Sequence, residues 1–366
     1  MKPFWWAGCA GAAVGVMCTS HGAARAEDAP PIDTAAEPAP ADAAPKQKGW
    51  GELVRFTAIW ENDGTIVKPA SSRDDHYTNG LMLDFTWKPQ WAQDWLAWMP
   101  LTSQFGDAPE TAFGLSARQV MFTPVDLESR AIIEDDRPYA GWLALSAYWQ
   151  RTGQITDTLA MYDHIEIDGG VVGQWSGAQA VQEFVHAAKP DEVDPQGWPN
   201  QISNTPAFDL TLRRKWRFST EANADGVSLQ FIPSVGGTVG TVYRRLEADA
   251  LVRFGWNMPD DFGPTRIADV NAATGGWASR FGFYLFGRAG GRAVQHNIFL
   301  DGPDFKSSPH TVDSEPLYAE FQIGAVLLLW SNFEIGYSQT FLTDEFKGQK
   351  DSDSFGAITL GYRVTF

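Results

Sequence analysis

Two side chains four residues apart open the chemistry of this sequence: Gln182 and His186, in a stretch from Ser176 to about Ala188. Ala178, Ala180, Val181, Phe184 and Val185 supply one apolar side of it, and Pro190 stops it. The pattern predicts a short helix with Ser176 as its N-cap, and the spacing puts the amide and the imidazole on one face. An imidazole titrates near neutral pH and suits general-base work; a histidine packed at a helix end fits the same spacing. Upstream, Glu61-Asn62-Asp63, His76-Tyr77-Thr78-Asn79-Gly80 and Asp135-Asp136-Arg137-Pro138-Tyr139-Ala140-Gly141-Trp142 gather carboxylates, amides, hydroxyls and a second His. Asp63 with Asn62 and Thr78 offers hard oxygen donors, which suit calcium rather than zinc; the bland alternative is a set of solvated polar groups. Regular alternation points Asn62 and Asp63 to opposite faces, so both serve one site only where the strand bends or ends. There is no Walker loop, G-x-S-x-G elbow, H-E-x-x-H or cysteine-based metal pattern.

The elements that must position these groups are strands. Gly356, Ile358, Leu360, Tyr362, Val364 and Phe366 alternate with Ala357, Thr359, Gly361, Arg363 and Thr365. Leu246, Ala248, Ala250, Val252, Phe254 and Trp256 alternate with charged Arg245, Glu247, Asp249 and Arg253, which is the period of a strand with one apolar face. About twelve such runs occur, near 52–63, 76–88, 111–123, 139–152, 157–169, 206–220, 226–237, 242–256, 279–292, 314–328, 332–343 and 353–366. A soluble β-sandwich also alternates. Long runs, aromatics at run ends (Trp60, Trp87, Trp142, Trp149, Trp256, Trp277, Trp330) and a terminal aromatic strand favour an all-β fold, a twelve-stranded antiparallel transmembrane barrel with its apolar face toward lipid. An even count puts both ends on one side, so 64–75, 124–138, 170–205, 293–313 and 344–352 fall outside and 89–110 and 257–278 inside. The predicted helix then stands in an outer loop near the rim. Trp91, Trp95 and Trp98 share a helical face that suits the membrane interface, with a loop packed under the barrel as the alternative. The length of the 257–278 connection has no explanation in the sequence.

Composition narrows the function classes. The chain has 366 residues, net charge −17, 20% charged and 13% aromatic residues. Nucleic acid is excluded as a partner, because affinity for it comes from clustered Lys and Arg. Lys2, the apolar stretch from Phe4 to Met17 and Ala24-Arg25-Ala26 read as a signal peptide over 1–26. An uncleaved anchor is the lesser alternative, since the run is shorter than a spanning helix needs. Both cysteines, Cys9 and Cys18, lie in that segment, so no disulfide is expected in the exported chain. Residues 27–50, rich in Ala, Pro, Asp and Glu, read as a disordered tail, and the barrel is expected over 51–366.

Four motifs in order, Glu61-Asn62-Asp63, Tyr77-Thr78-Asn79-Gly80, Asp136 to Trp142, and Gln182 to His186 followed by Pro195-Gln196-Gly197-Trp198, resemble the outer-membrane lipid A 3′-O-deacylase family. The likeness runs from about Glu52 to Phe366 and is densest in the first half. It implies a cell outer-membrane location, a twelve-stranded barrel, and an active site between the outer rim of the wall and a short helix. It further implies calcium-assisted ester hydrolysis resembling phospholipase A2: His186 as the base that activates water, Asp63 and Thr78 in the calcium neighbourhood with Asn62 beside them, and Gln182 orienting substrate or base. The substrate would be the 3′ acyloxyacyl ester of lipid A in lipopolysaccharide of the outer leaflet. Glu192 matches the family's acidic metal residue, with Asp191 or Asp194 open because the spacing to Trp198 differs by one. Where the family has a basic residue in the second outer loop, this chain has Ser129-Arg130, leaving Arg130 for a lipid A phosphate, with Tyr139 as a further substrate contact. The aromatic last strand resembles the signal read by the barrel-assembly machinery. A channel or structural barrel, motivated by the charged faces near 242–256 and 279–292, and an outer-membrane phospholipase are the competing functions.

Overall fold

The alternating runs close on one another. The computed structural model describes residues 52–63, 76–187, 193–220, 226–271 and 280–364. Its strands are β1 (Glu52–Asn62), β2 (Tyr77–Lys88), β3 (Glu110–Phe122), β4 (Ala140–Thr156), β5 (Leu159–Val172), β6 (Thr205–Ser219), β7 (Val227–Gly240), β8 (Tyr243–Trp256), β9 (Phe281–Asn297), β10 (Leu317–Leu329), β11 (Phe333–Leu342) and β12 (Ser354–Tyr362). All pair antiparallel with their sequence neighbours, and β1 closes on β12 with Phe56–Asn62 opposite Gly356–Tyr362. The count is the one expected, and strand ends move by only a few residues. The signal peptide, the acidic tail, Glu192, Trp277 and Phe366 lie outside the described residues.

Inside and outside are inverted relative to a soluble domain. On β10, Glu320 and Gln322 are buried while Leu317, Phe321 and Ile323 are exposed; an apolar surface continued around every strand is stable against lipid, not water. Aromatic rings meet near the strand ends that lie on the side of the chain termini: Trp87 on Phe113, Trp256 on Phe281, Trp330 on Phe333, and Phe333 on Tyr362. That is an interfacial girdle. Trp142 does not belong to it, because its ring faces the lumen and packs against Tyr243 and Phe299.

The long 257–278 connection acquires a physical account. Its described part, 257–271, turns back into the barrel, where inward side chains hold it: Gln150 Nε2 and Tyr162 Oη donate to the Val270 carbonyl (2.9 and 2.8 Å), and Arg118 donates to the Ile267 carbonyl (3.1 Å). Asp269 takes ion pairs from Arg213 (2.5 Å) and Lys215 (2.6 Å), and Asp261 pairs with Arg253. Ile267 and Val270 join the lumenal apolar cluster with Val120, Phe122 and Trp142. From the outer end, α3 (Ile298–Asp301) brings Phe299 onto Phe122 and Tyr243. The inward charges that motivated a channel are thus consumed by pairing, Arg288 and Arg292 with Asp249 and Arg253 with the plug.

The 89–109 connection does not sit beneath the barrel. Its helix α1 (Gln90–Trp95) lies on the outward face of β3 and β4, Trp91 edge-on to Phe113 and Trp149, and Trp95 stacked on Trp149 at 4.6 Å between centroids.

Candidate active site at the outer rim

The site is built on the outward side of β1 to β4. In β1, Arg55, Thr57, Ile59 and Glu61 are buried toward the lumen while Phe56 and Trp60 are exposed, so alternation turns Asn62 outward. β1 ends at Asn62 and the chain bends at Asp63, which is the condition under which both can serve one site. The β2–β3 register shifts between Tyr77 and Asn79, a bulge that re-aims side chains at a sheet end. Tyr77 turns into the lumen, where its hydroxyl donates to Glu61 (2.5 Å). Thr78 instead meets Thr123 on β3's continuation, hydroxyl to hydroxyl at 2.8 Å, and its carbonyl accepts from Asn62 Nδ2 at 2.9 Å. The wall therefore divides each motif: Glu61 and Tyr77 belong to the lumen, Asn62 and Thr78 to the rim.

Helix α2 (Ala178–Ala187) is the predicted helix, shortened at its start. Ser176 sits in a preceding 3-10 turn, and Gly177, at φ 70°, makes the entry. The Ser176 hydroxyl still accepts from the Ala178 N–H, at 3.3 Å. Ala178 and Gln182 are the buried positions, while Val181, Phe184 and Val185 are exposed. The apolar side thus faces away from the protein, because beside a membrane barrel the apolar medium is outside. Gly141 allows the approach: a Cβ there would lie 2.3 Å from Ser176 Oγ and 2.4 Å from the Ala178 Cβ.

The returning loop holds the functional face of α2. Trp198, fully buried, donates from Nε1 to Gln182 Oε1 at 2.8 Å, which sets the amide so that its NH2 edge points away from the indole. Trp198 packs on Tyr139 and, with Met121, Leu127 and Ala178, forms one apolar cluster; a Cβ at Gly197 would lie 2.3 Å from the Tyr139 ring. His186 Nδ1 bonds the Val193 carbonyl at 2.6 Å. A carbonyl only accepts, so Nδ1 carries a proton, and in the neutral ring the lone pair lies on Nε2, the tautomer of a base.

The other expected residues fall around this core. Arg130 is exposed and tied to the same loop, Nε donating to Gln196 Oε1 (3.0 Å) and its carbonyl accepting from Asn200 (2.9 Å). Tyr139 is buried in the Trp198 cluster. Asp194 accepts from Gln196 Nε2 at 2.8 Å, whereas Asp191 and Glu192 lie outside the described residues. Among the described residues no group of three or more His, Cys, Asp and Glu is placed to hold a metal ion. Asn62, Thr78 and Thr123 come together, as do Gln182, Trp198 and Tyr139. Met121, which belongs to the second group, is two residues from Thr123 in the first. No local pattern marks Thr123, because a partner 45 residues away leaves no spacing signal.

His76 plays a different part. Its Nδ1 and Nε2 bond Asp353 (2.7 Å) and Asp136 (2.9 Å), and His310 Nε2 donates to the Asp136 carbonyl (2.7 Å), so three outer loops are clasped to the start of β2. Burial opposes the imidazole's charge, but Asp136 and Asp353 outweigh it and its pKa is raised to about 9. Stability from a raised pKa is fully present below the unfolded value and lost as pH rises through the folded one. Heat-induced loss of the folded band on electrophoresis should therefore shift to lower temperature between about pH 6.5 and 9, as up to roughly 3–4 kcal/mol of stability is lost. His76→Gln should abolish that slope; an unchanged slope would show that the clasp is not its source.

A closed barrel with apolar exterior, aromatic girdle and a helix-bearing polar site on its outer rim defines a class: outer-membrane β-barrel proteins. Within it, a family profile described as outer membrane protein LpxR matches residues 32–364. The chain belongs to that family, the one its four ordered motifs resemble. Comparison with curated proteins returned no match. Among solved structures, LpxR from Salmonella typhimurium superposes with a TM-score of 0.64 at 20% identity, covering 84% of this chain and 99% of that one. The beta domain of the Bordetella autotransporter BrkA is also similar (TM-score 0.41, 10% identity, 86% of this chain and 100% of that one).

Proposed function

We propose that this protein hydrolyses the 3′-linked acyloxyacyl ester of lipid A in the outer leaflet, with His186 as general base. The observation that carries the reading is the fixed tautomer: Val193 holds the proton on Nδ1 and leaves Nε2 basic, on a helix whose exposed Val181, Phe184 and Val185 face the acyl-chain side of the wall. Nε2 takes a proton from water, whose oxygen attacks the ester carbonyl. The imidazolium then returns the proton to the departing sugar alkoxide, giving a free fatty acid and an alcohol, with no protein nucleophile. Gln182, its amide turned by Trp198, orients substrate or base. Arg130 is placed for a lipid A phosphate, and Tyr139 supports the site through Trp198.

The donor set fits calcium. Asn62 is held through its nitrogen by the Thr78 carbonyl, so its oxygen lies on the opposite edge of the amide, and amide, hydroxyl and carboxylate oxygens are what a hard cation takes. Asp63, Thr78 and Glu192, with Asn62 beside them, would hold it. Bound there, calcium would polarise the ester carbonyl and stabilise the oxyanion.

The test offers lipid A and labelled glycerophospholipid in parallel to protein in vesicles, with and without a calcium chelator, reading products by mass spectrometry. Loss of the 3′ chain from lipid A, abolished by chelation, is expected; release from the phospholipid alone would replace this reading with a phospholipase. Trp198→Phe keeps the ring and removes only the N–H, at a cost of about 1 kcal/mol or more in orienting Gln182. Deacylation should fall roughly tenfold in a barrel that still runs as folded, and the effect should vanish in a Gln182→Ala background.

A further inference from the structure

Among the described residues, the 89–109 segment leaves Trp91, Trp95, Trp98 and Leu101 exposed. α1 covers Phe113 and Trp149, which belong to the lipid-facing wall, so α1 itself stands at membrane level. Trp95, although stacked on Trp149, stays 53% exposed, and beyond the helix Trp98 is 88% exposed. The remainder of the segment is clamped outside β4–β6. Arg151 donates to the Pro100 carbonyl (2.9 Å) and Thr102 (3.0 Å), Asp163 receives both Arg151 (2.6 Å) and Arg214 (2.6 Å), and the Phe105 ring lies under Arg151. A wall carrying an outward Arg–Asp–Arg group has left the hydrocarbon at that height, since charges are expelled from it. Large exposed indoles immediately beside such a boundary are stabilised in the headgroup layer, one edge dry and the other wet.

We infer that residues 89–109 are an interfacial anchor whose ligand is the phospholipid headgroup layer of the inner leaflet. The same strands carry α1 at one end and α2 at the other. Phe113 under α1 and Met121 in the α2 cluster are eight residues apart on β3, about 27 Å along the strand and about 20 Å along the axis of a tilted barrel. That is slightly less than an apolar band of about 25 Å. An anchor fixed at the inner interface therefore holds α2 near the outer-leaflet ester plane. This second consequence rests on the proposed function; the anchor itself does not.

The experiment uses the full chain with Cys9 and Cys18, its two cysteines, replaced by serine. Trp98→Cys, Asp157→Cys in the exposed β4–β5 turn and Phe184→Cys on α2 are each labelled with a polarity-sensitive fluorophore. The proteins are reconstituted in phosphatidylcholine–phosphatidylethanolamine vesicles containing lipids with nitroxides at graded depths. The label at 98 should be blue-shifted and quenched several-fold more by headgroup nitroxides than the label at 157, and the label at 184 should report a position across the midplane from it. Replacing Trp91 and Trp95 with serine should return the label at 98 to water while the barrel still migrates as folded. A label at 98 as wet as that at 157, or shielded only after periplasmic extract is added, overturns the inference; so does a label that stays quenched without the two indoles. None of these readings depends on lipid A chemistry, so they stand apart from failure of the deacylase reading.

Discussion

His186→Ala is expected to lower the rate of lipid A deacylation by about 10²- to 10⁴-fold, the usual contribution of a positioned general base. The barrel should assemble normally, because His186 is half-buried at the end of a peripheral helix and its bond to Val193 closes a loop rather than a core. The clean contrast is His186→Gln, which can still donate an N–H to the Val193 carbonyl but has no basic nitrogen. If Gln restored activity, the imidazole would be a spacer and not a base. Full 3′-deacylation by the alanine variant, read by mass spectrometry of lipid A, would remove the mechanism altogether. Neither result touches the fold, which makes this the decisive experiment for the site.

The second large effect lies in the lumen. Asp269 is the plug's principal anchor, paired with Arg213 and Lys215, both buried. Asp269→Ala leaves two cations under-compensated in a water-poor interior, and breaking such a group costs about 3–5 kcal/mol. Arg213 retains Glu247 and Lys215 retains Asn271, so the lower end of that range is expected. The loss should appear as a lower unfolding midpoint and, because the plug is what fills the barrel, as steady conductance in planar bilayers where the unmodified protein gives none. Asp260→Ala serves as control: Arg217 is buried, but Asp260 is more than half exposed and Arg217 keeps its bond to the Asp261 carbonyl, so the solvent-screened pair contributes about 0–1 kcal/mol. Equal destabilisation by the two variants would mean that the plug is not held by the Asp269 pairs.

Much of this architecture is legible along the chain. Strand period, strand number, the polar lumen and the helix bearing Gln182 and His186 are local properties: alternation and i, i+4 spacing are fixed by backbone geometry, whichever medium lies outside. Four motifs in order were enough to point to the LpxR family, to which the chain belongs. Where the reading stops is also physical. Ser176 has the right residue type for an N-cap, yet the wall at Gly141 draws the chain into a tighter turn and passes the entry to Gly177. Trp142 ends a run as a girdle residue would, but its register on β4 points it inward onto Phe299.

The sequence by itself determined that this is a twelve-stranded barrel with lipid-facing strands, and which residues gather near its outer rim, because those follow from periodicity and order. Only the tertiary structure decided that 257–271 fills the lumen, that Glu61 and Tyr77 are cut off by the wall from Asn62 and Thr78, and that Trp198 and Val193 set the orientation of Gln182 and His186. It also decided that the 89–109 segment lies on the outer wall rather than beneath it. These contacts span from seven residues, His186 with the Val193 carbonyl, to more than two hundred, Arg55 with the Asn271 carbonyl. Such pairings depend on how the sheet closes and on which face a bulge turns outward, and no local pattern encodes either.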